Sequence, residues 1–259
     1  MLYVTMPTFR TPQDLLERAV DSVLQQTHED LRLVLIADGE PVDLEPDDRL
    51  VLFGLPENRG RYFADAVALA AFDEDDWWSP HDADDWSEPD RFARLLDVAA
   101  PHGAALAAYW KYEMDGRRTM SIPKIAGRGH RHVGHWCSGV YKVGRARDAG
   151  GILPNVRVSY DTLFVSLVTL IGPTGNDPTP GFHWQRRPGS LTSANGTSMQ
   201  SSLRYQTRLK LRKIYAEAEQ KWDRGLAVDM TVRQAATDEE WEEVDEHAAR
   251  LRELLETRG

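Results

Sequence analysis

"LYVTMPTFRTPQDLLERAVDSVLQQTHEDLRLVLIADG", residues 2–39, decides the fold class. Two short apolar runs, 2–6 and 31–36, flank a segment whose apolar residues Leu15, Leu16, Ala19, Val20, Val23 and Leu24 fall on one helical face. Thr11 is placed as the N-cap of that helix, Pro12 as its first residue and Asp14 as the acid three beyond the cap. The flanking runs are continuously apolar rather than alternating, as a parallel sheet covered on both faces requires. The chain therefore opens with a βαβ unit.

Outward from this unit the pattern repeats. "RLVLFGL" (49–55) reads as a third strand, "RYFADAVALAAF" (61–72) as a second helix and "WWSPHD" (77–82) as a fourth strand, with Trp77 and Trp78 in its core. "EPDRFARLLDVAA" (88–100) is a helix opened by Pro89, and residues 104–124 are two runs around a Met-Asp-Gly-Arg turn, a hairpin. Glycine, arginine and histidine dominate 127–151, after which "YDTLFVSLVTLIG" offers another helix. "LTSANGTSMQSS" (191–202) reads as a loop, 203–222 as a basic helix, and 237–258 as an acidic helix with an apolar stripe at Trp241, Val244, Ala248, Leu251 and Leu255. The stripe calls for burial on the body, on the basic helix or on a second copy, so a homo-oligomer formed through these helices is one expectation. The expected organisation is an α/β body over 1–195 and a C-terminal helical appendage over 196–259.

Composition narrows the function classes. The 259 residues are 41% hydrophobic and 28% charged, and no apolar run approaches the roughly 20 residues of a membrane span. The first residues lack the pattern of a secretory signal, and the single cysteine, Cys137, read as a small packed residue, suits a reducing compartment; the expected location is the cytoplasm. A net charge of −10 argues against a general nucleic-acid binder. Basic residues nevertheless gather at Arg117, Arg118, Lys124, Arg128, Arg131, Lys142, Arg145 and Arg147, where an anionic partner is conceivable.

Ligands of open α/β sheets bind beyond the carboxyl ends of the strands. The first strand ends in Pro7, Thr8 and Arg10, which can line a nucleotide; the second ends in Asp38, which can accept hydrogen bonds from a base or ribose; the fourth ends in "HDADD". Asp82 and Asp84 are spaced to offer hard oxygen ligands to a divalent cation while leaving positions for phosphate oxygens and water. On the tripeptide alone, an acidic loop leading into the next helix is the commoner explanation. "GHRHVGHWCSG" packs His130, His132, His135 and Cys137 together, but structural zinc sites pair one tight ligand couple with a distant second, and this is a single cluster.

The order "TMPTFR", "IADGE", "ENRGRYFADAVALA", "HDADDW" resembles the family 2 glycosyltransferases over roughly residues 2–192. The resemblance implies the GT-A fold, with a nucleotide-sugar-binding half over 1–100 and an acceptor half over 101–195. It implies base recognition by Asp38, donor contacts from Arg59 and Arg61, and a metal-binding DxD at Asp82 and Asp84. The family usually carries paired acids in the second motif, and here Ala37 precedes Asp38. "GGILPNVRVSYDTLFV" resembles the segment in which an acidic pair opens a helix and the second acid is the catalytic base; here Tyr160 replaces the first and Asp161 keeps its carboxylate. Its alternative is a plain helix cap.

"HWQRRPGSLTS" resembles the family's closing motif, so His183, Arg186 and Arg187 are candidates for the diphosphate, and His183 for the metal. Trp136 falls on the acceptor side, where it could stack on a sugar ring. The activity implied is inverting transfer from a nucleotide-diphosphate sugar, a UDP-sugar favoured, with Mn²⁺ or Mg²⁺, to a glycan, lipid, protein or nucleic-acid hydroxyl. Two rivals are a nucleotidyltransferase, for which the glycine-rich, lysine-containing phosphate loop is missing after the first strand, and a donor-binding module without turnover.

Overall fold

The computed structural model describes residues 1–123, 134–190, 196–198 and 200–258. Strands β1 (Leu2–Thr8), β2 (Leu31–Asp38), β3 (Leu50–Leu55) and β4 (Trp77–Pro80) pair in parallel in the order β3-β2-β1-β4. Along β2, Leu33 and Leu35 join one hydrophobic cluster while Val34 and Ile36 join the other. A strand buried on both faces has no place for polar alternation, which is why its sequence is a continuous apolar run. Helices α1 (Gln13–Leu24) and α3 (Arg91–Ala99) cover one face, and α2 (Arg61–Ala71) and α5 (Tyr160–Leu170) cover the other.

Beyond β4 the sheet becomes mixed. β5 (Trp86–Ser87), β6 (Ala104–Tyr112), β7 (Arg118–Ser121), β8 (Gly139–Lys142) and β9 (Gly175–Gln185) extend it in the order β4-β8-β6-β9-β5, with β7 on the far part of β6. β8 runs antiparallel to both β4 and β6, β9 lies parallel to β6, and β6 and β7 form the expected hairpin. The α/β architecture, with a parallel half and C-terminal helices, is thus the one expected. A single 3₁₀ turn, Trp136–Ser138, leads into β8, and α4 (Val143–Asp148) follows it.

Three local expectations change. Helix α1 begins at Gln13 with Pro12 as its N-cap and no side-chain cap, because the Thr11 hydroxyl is engaged by the Thr8 hydroxyl at 2.9 Å. Part of the basic middle is not free cationic surface, since Arg145 and Arg147 serve helix ends, whereas Arg117 and Arg118 stay exposed, Arg117 paired with Asp115. Arg145 donates to the carbonyls of Val168 and Gly172 at 2.7 Å, and Arg147 to those of Leu69 (2.8 Å) and Phe72 (2.6 Å), satisfying carbonyls at the ends of α5 and α2. Lys124, Arg128 and Arg131 lie outside the described residues, as do His130 and His132.

The third concerns the C-terminal helices α6 (Ser202–Asp223), α7 (Asp229–Arg233) and α8 (Asp238–Thr257). Thr237 and Glu240 form a capping box at the start of α8, and the whole stripe from Trp241 to Leu255 is buried in the same cluster as Phe63, Val67 and Phe164. The stripe packs within the chain, mainly on α2, which removes the observation that suggested self-association. Among the described residues no helix is long and apolar enough to cross a membrane.

Candidate active site

The carboxyl ends of β1, β2 and β4 open into one cleft of about 610 Å³. Its lining includes Pro7, Thr8 and Arg10 from the end of β1, Asp38 from β2, Asp82 and Asp84 after β4, and Arg61 from the first turn of α2. Arg187 reaches it from beyond β9. Eight of the sequence-expected residues are therefore brought together around one space by elements up to 180 residues apart. Arg10 is one of two non-glycine residues with a left-handed backbone among the described residues (φ 53°), and its guanidinium meets Glu40 at 3.0 Å. Such a conformation is costly outside glycine and concentrates at ligand-contacting turns.

Asp38 does a structural job as well as lining the cleft. Only 2% exposed, it accepts hydrogen bonds from the backbone N–H of Arg59 (2.7 Å) and Gly60 (2.8 Å) and from the Asn58 side chain (3.0 Å). These donors precede α2, so the carboxylate supplies a cap that Gly60 cannot supply from a side chain. Burial raises its pKa and the two backbone donors oppose that shift. The loop fits only because residue 39 is glycine: φ is +85°, and a Cβ there would sit 2.3 Å from the Asn58 nitrogen.

The loop "HDADD" is fixed from beneath. His81 is fully buried; its Nδ1 lies 2.8 Å from the Asp82 carbonyl and its Nε2 3.0 Å from the Ser87 hydroxyl. A carbonyl only accepts, so Nδ1 carries the proton and Nε2 accepts from Ser87, whose oxygen in turn accepts from Arg91 at 2.8 Å. Burial and the guanidinium of Arg91 push the His81 pKa well down, consistent with that neutral tautomer. Asp85 is 1% exposed and accepts from the Gln185 N–H at 2.7 Å; burial, and next the Asp84 charge, raise its pKa well above the carboxylate range.

With Asp85 turned inward, Asp82 and Asp84 face the cleft. Each carboxylate has one oxygen on an arginine: Arg61 pairs with Oδ1 of Asp82, and Arg187 Nε donates to Oδ2 of Asp84 at 2.6 Å. Arg61 is held from behind by buried Asp65 at 3.1 Å and lies over the Trp136 ring at 4.7 Å. Two carboxylates with hard oxygens in a cleft that also presents four arginines suit a divalent cation together with a diphosphate.

Three expected residues sit elsewhere. Arg59 lies over Phe63 at 4.3 Å and pairs with Glu243 of α8, so its side chain ties the loop to the C-terminal helix and does not line the cleft. His183 is stacked on Trp86 (4.7 Å), with Nε2 2.7 Å from Glu88 and Nδ1 3.0 Å from the Tyr112 hydroxyl, which leaves neither nitrogen for a metal beside Asp82 and Asp84. The sequence places it correctly on the strand that borders the site, but strand alternation sends Trp184 into the cleft instead. Arg186 pairs with Glu113 at 3.2 Å and likewise does not line it.

Asp161 stands in the first turn of α5, partly exposed, and accepts from the Tyr62 hydroxyl at 3.3 Å. Tyr160 beside it is buried, its hydroxyl donating to the Gly151 carbonyl at 2.9 Å, so the residue in place of the first family acid is a packing residue. Trp136 is 3% exposed and packed among Tyr62, Trp78 and Phe164, which takes it out of reach of stacking on a sugar.

Sequence reading missed Asn58, Arg157, Trp184 and Gln185 in the lining, and Thr197 and Leu203 from the segment entering α6. Arg157 donates to the Asn58 side chain at 3.1 Å, and nothing in the local pattern of 151–159 announces that reach. The sequence did single out His135 and Cys137, but assigned them no partner outside their own run. In the fold they face Asp82: the Cys137 Sγ lies 3.6 Å and the His135 Nε2 3.8 Å from Oδ2.

Residues 3–147, more than half of the chain, match the model of glycosyl transferase family 2, and the chain belongs to that family. Among solved structures it is similar to TarS 1–349 of S. aureus in complex with UDP-GlcNAc, at 13% identity and a TM-score of 0.58 over 73% of this chain and 59% of that one. It is similar also to the mannosyltransferase PcManGT from Pyrobaculum calidifontis in complex with GDP-Man and Mn²⁺ (16% identity, TM-score 0.51, 73% and 57% covered). GalNAc-T7 with UDP, GalNAc and Mn²⁺ gives 10% identity and a TM-score of 0.58, with 84% and 50% covered. The likeness establishes the GT-A fold; the chain spans half to three-fifths of these proteins' lengths. No curated protein matches it in sequence.

Proposed function

We propose that this chain is an inverting glycosyltransferase that takes a sugar from a nucleotide-diphosphate donor, a UDP-sugar favoured, to an acceptor hydroxyl. The observation that carries the reading is the convergence of Asp38, Arg61, Asp82, Asp84 and Arg187 on one cleft at the carboxyl ends of parallel strands. Support for the donor class comes from the nucleotides held in the structures of the fold relatives, UDP-GlcNAc, GDP-Man and UDP. A cytoplasmic location belongs to the same reading.

Each residue has a distinct task. Pro7, Thr8 and Asp38 border the nucleoside, and the N–H-capped loop 58–60 keeps that wall rigid. Arg10, Arg61 and Arg187 face the diphosphate, where bidentate guanidinium geometry suits phosphate oxygens. Asp82 and Asp84 would hold a divalent cation, which when bound offsets charge developing on the leaving diphosphate. Asp161 takes the proton from the acceptor hydroxyl, and the attack comes from the face opposite the diphosphate, inverting the anomeric centre. Stabilising the leaving group is the larger contribution and proton removal the smaller.

Nucleotide diphosphate should raise the melting temperature more with Mn²⁺ than without, because a ligand that binds only the folded state stabilises it by mass action. Asp84→Asn should remove the Mn²⁺-dependent increment and keep the rest. An increment that survives the substitution defeats the assignment of Asp84. Donor binding with no transfer or donor hydrolysis across a panel of acceptors would instead identify a binding module.

A further inference from the structure

Cys137 and His135 enter none of the tasks above, yet both side chains meet Asp82 at the edge of the cleft. One oxygen of Asp82, one ring nitrogen of His135 and the Cys137 sulfur all lie within 4.8 Å of one another. In a tetrahedral zinc site with bonds of about 2.0 Å to oxygen and nitrogen and about 2.3 Å to sulfur, ligand atoms stand roughly 3.3–3.6 Å apart. The observed separations from Asp82 Oδ2 are 3.6 Å to sulfur and 3.8 Å to nitrogen. These two edges stand within a few tenths of an ångström of that range, and the third, nitrogen to sulfur, lies within 4.8 Å.

The imidazole is unusual for this molecule. Histidines 81 and 183 each have both ring nitrogens engaged. The His135 ring makes no hydrogen bond among the described residues: Nδ1 is buried without a partner and Nε2 stops short of the carboxylate. A largely buried polar ring with no partner, aimed at an acid and a thiol, calls for a ligand that is absent from the protein itself. Phe182, stacked at 5.4 Å, together with Tyr109 and Trp184, holds the ring in place.

Charge balance fits as well. A divalent cation with carboxylate, neutral imidazole and thiolate is neutral, and the thiol proton leaves to solvent on binding. Arg61 stays on Oδ1, the other oxygen of Asp82, and its Nη2 donates to the sulfur at 3.3 Å; burial pushes the thiol pKa up against that guanidinium, so the proton leaves only as the ion binds. Three protein ligands leave a fourth position, the pattern of a site that takes a water or substrate oxygen.

We infer that Asp82, His135 and Cys137 form a binding site for a thiophilic divalent cation, zinc or cobalt rather than magnesium. The inference goes beyond the reading above: this ion is distinct from the donor-linked cation proposed at Asp82 and Asp84, and the two sites share only Asp82. A thiolate and an imidazole select zinc-like ions over Mg²⁺, which prefers oxygen ligands and retains its waters.

The test titrates Co²⁺ into the full chain and reads the thiolate-to-cobalt charge-transfer band, with no nucleotide sugar or acceptor present. Wild type should show the band with one Co²⁺ per chain, Zn²⁺ should abolish it, and excess Mg²⁺ should leave it in place. Cys137→Ala should lose the band, and His135→Gln should weaken Co²⁺ binding at least tenfold. Absence of the band in wild type, or its persistence in Cys137→Ala, overturns the site. Should the buried alanine fail to fold, unchanged Co²⁺ affinity in folded His135→Gln overturns it equally. Because no donor is present, failure here leaves the Asp84 test of the transfer reading untouched, and failure there leaves this one untouched.

Discussion

Asp161 on α5 and Asp65 on α2 are carboxylates outside the cleft lining, and their surroundings differ sharply. Asp161 is partly exposed, and among the described residues its carboxylate accepts one modest hydrogen bond, from Tyr62 at 3.3 Å, as the proposed base requires. Asp161→Asn should leave donor affinity nearly unchanged while transfer falls by roughly 10² to 10⁴. Steady-state transfer beside equilibrium donor binding checks this, and a loss of affinity parallel to the rate would move Asp161 into binding. Asp65 is fully buried, accepts from the Thr5 hydroxyl at 2.6 Å and meets Arg61 at 3.1 Å; desolvation raises its pKa to about 6 against those partners. An acid with a raised folded pKa gives its full stability below the unfolded value near 3.9 and loses it as pH climbs through about 6. The unfolding free energy of wild type relative to Asp65→Asn should therefore fall by about 2–3 kcal/mol between pH 4 and pH 7. A difference that stays flat over that window would show that Asp65 is not the titrating group.

At the scale of elements, what the sequence made legible is what local periodicity and end signals encode. The stripe of α8 was readable to the residue because helical spacing survives in the chain wherever its partner lies. Strands β1 and β2 were readable because burial on both faces leaves continuous apolar runs, and β3 keeps such a run although Leu52 is exposed. β9 was legible only at its end: "GNDPTPGFHWQ" contains two prolines and two glycines, and its place is set by pairing with β6 rather than by its own propensity. The site divides the same way. Residues at strand ends could be named, whereas Arg157, Trp184 and the meeting of His135 with Asp82 depend on long-range packing and left no local mark. The β2–α2 junction shows how little slack such packing allows. Gly39→Ala forces a left-handed backbone and a Cβ 2.3 Å from the Asn58 nitrogen, a backbone atom that cannot step aside. It should cost roughly 2–4 kcal/mol of stability by chemical denaturation and weaken nucleotide binding with it, since Asp38 holds the same loop. A fully stable Gly39→Ala protein would mean the junction is looser than this geometry.

For the whole molecule, the expected appendage is part of what holds the cleft in shape. Helix α8 buries Trp241, Val244, Ala248, Leu251 and Leu255 against the cluster that also contains α2, whose first turn carries Arg61 into the cleft. Arg252 donates to the Ala70 and Ala71 carbonyls at 2.8 and 3.1 Å, and Glu243 holds Arg59 in the loop that Asp38 caps. Burying five such side chains contributes on the order of 8–12 kcal/mol before entropy is charged, comparable to the entire net stability of a domain. A chain ending at Ala236 should therefore lose most of its cooperative unfolding transition and expose the apolar face of α2, and donor binding should go with the fold. Leu251→Ala, which leaves a cavity at a fully buried position, should cost about 2–5 kcal/mol while keeping the helix. If the shortened chain melts like the full one and still binds nucleotide, the C-terminal helix is dispensable and the rigidity of the loop at 57–60 must come from Asp38 alone.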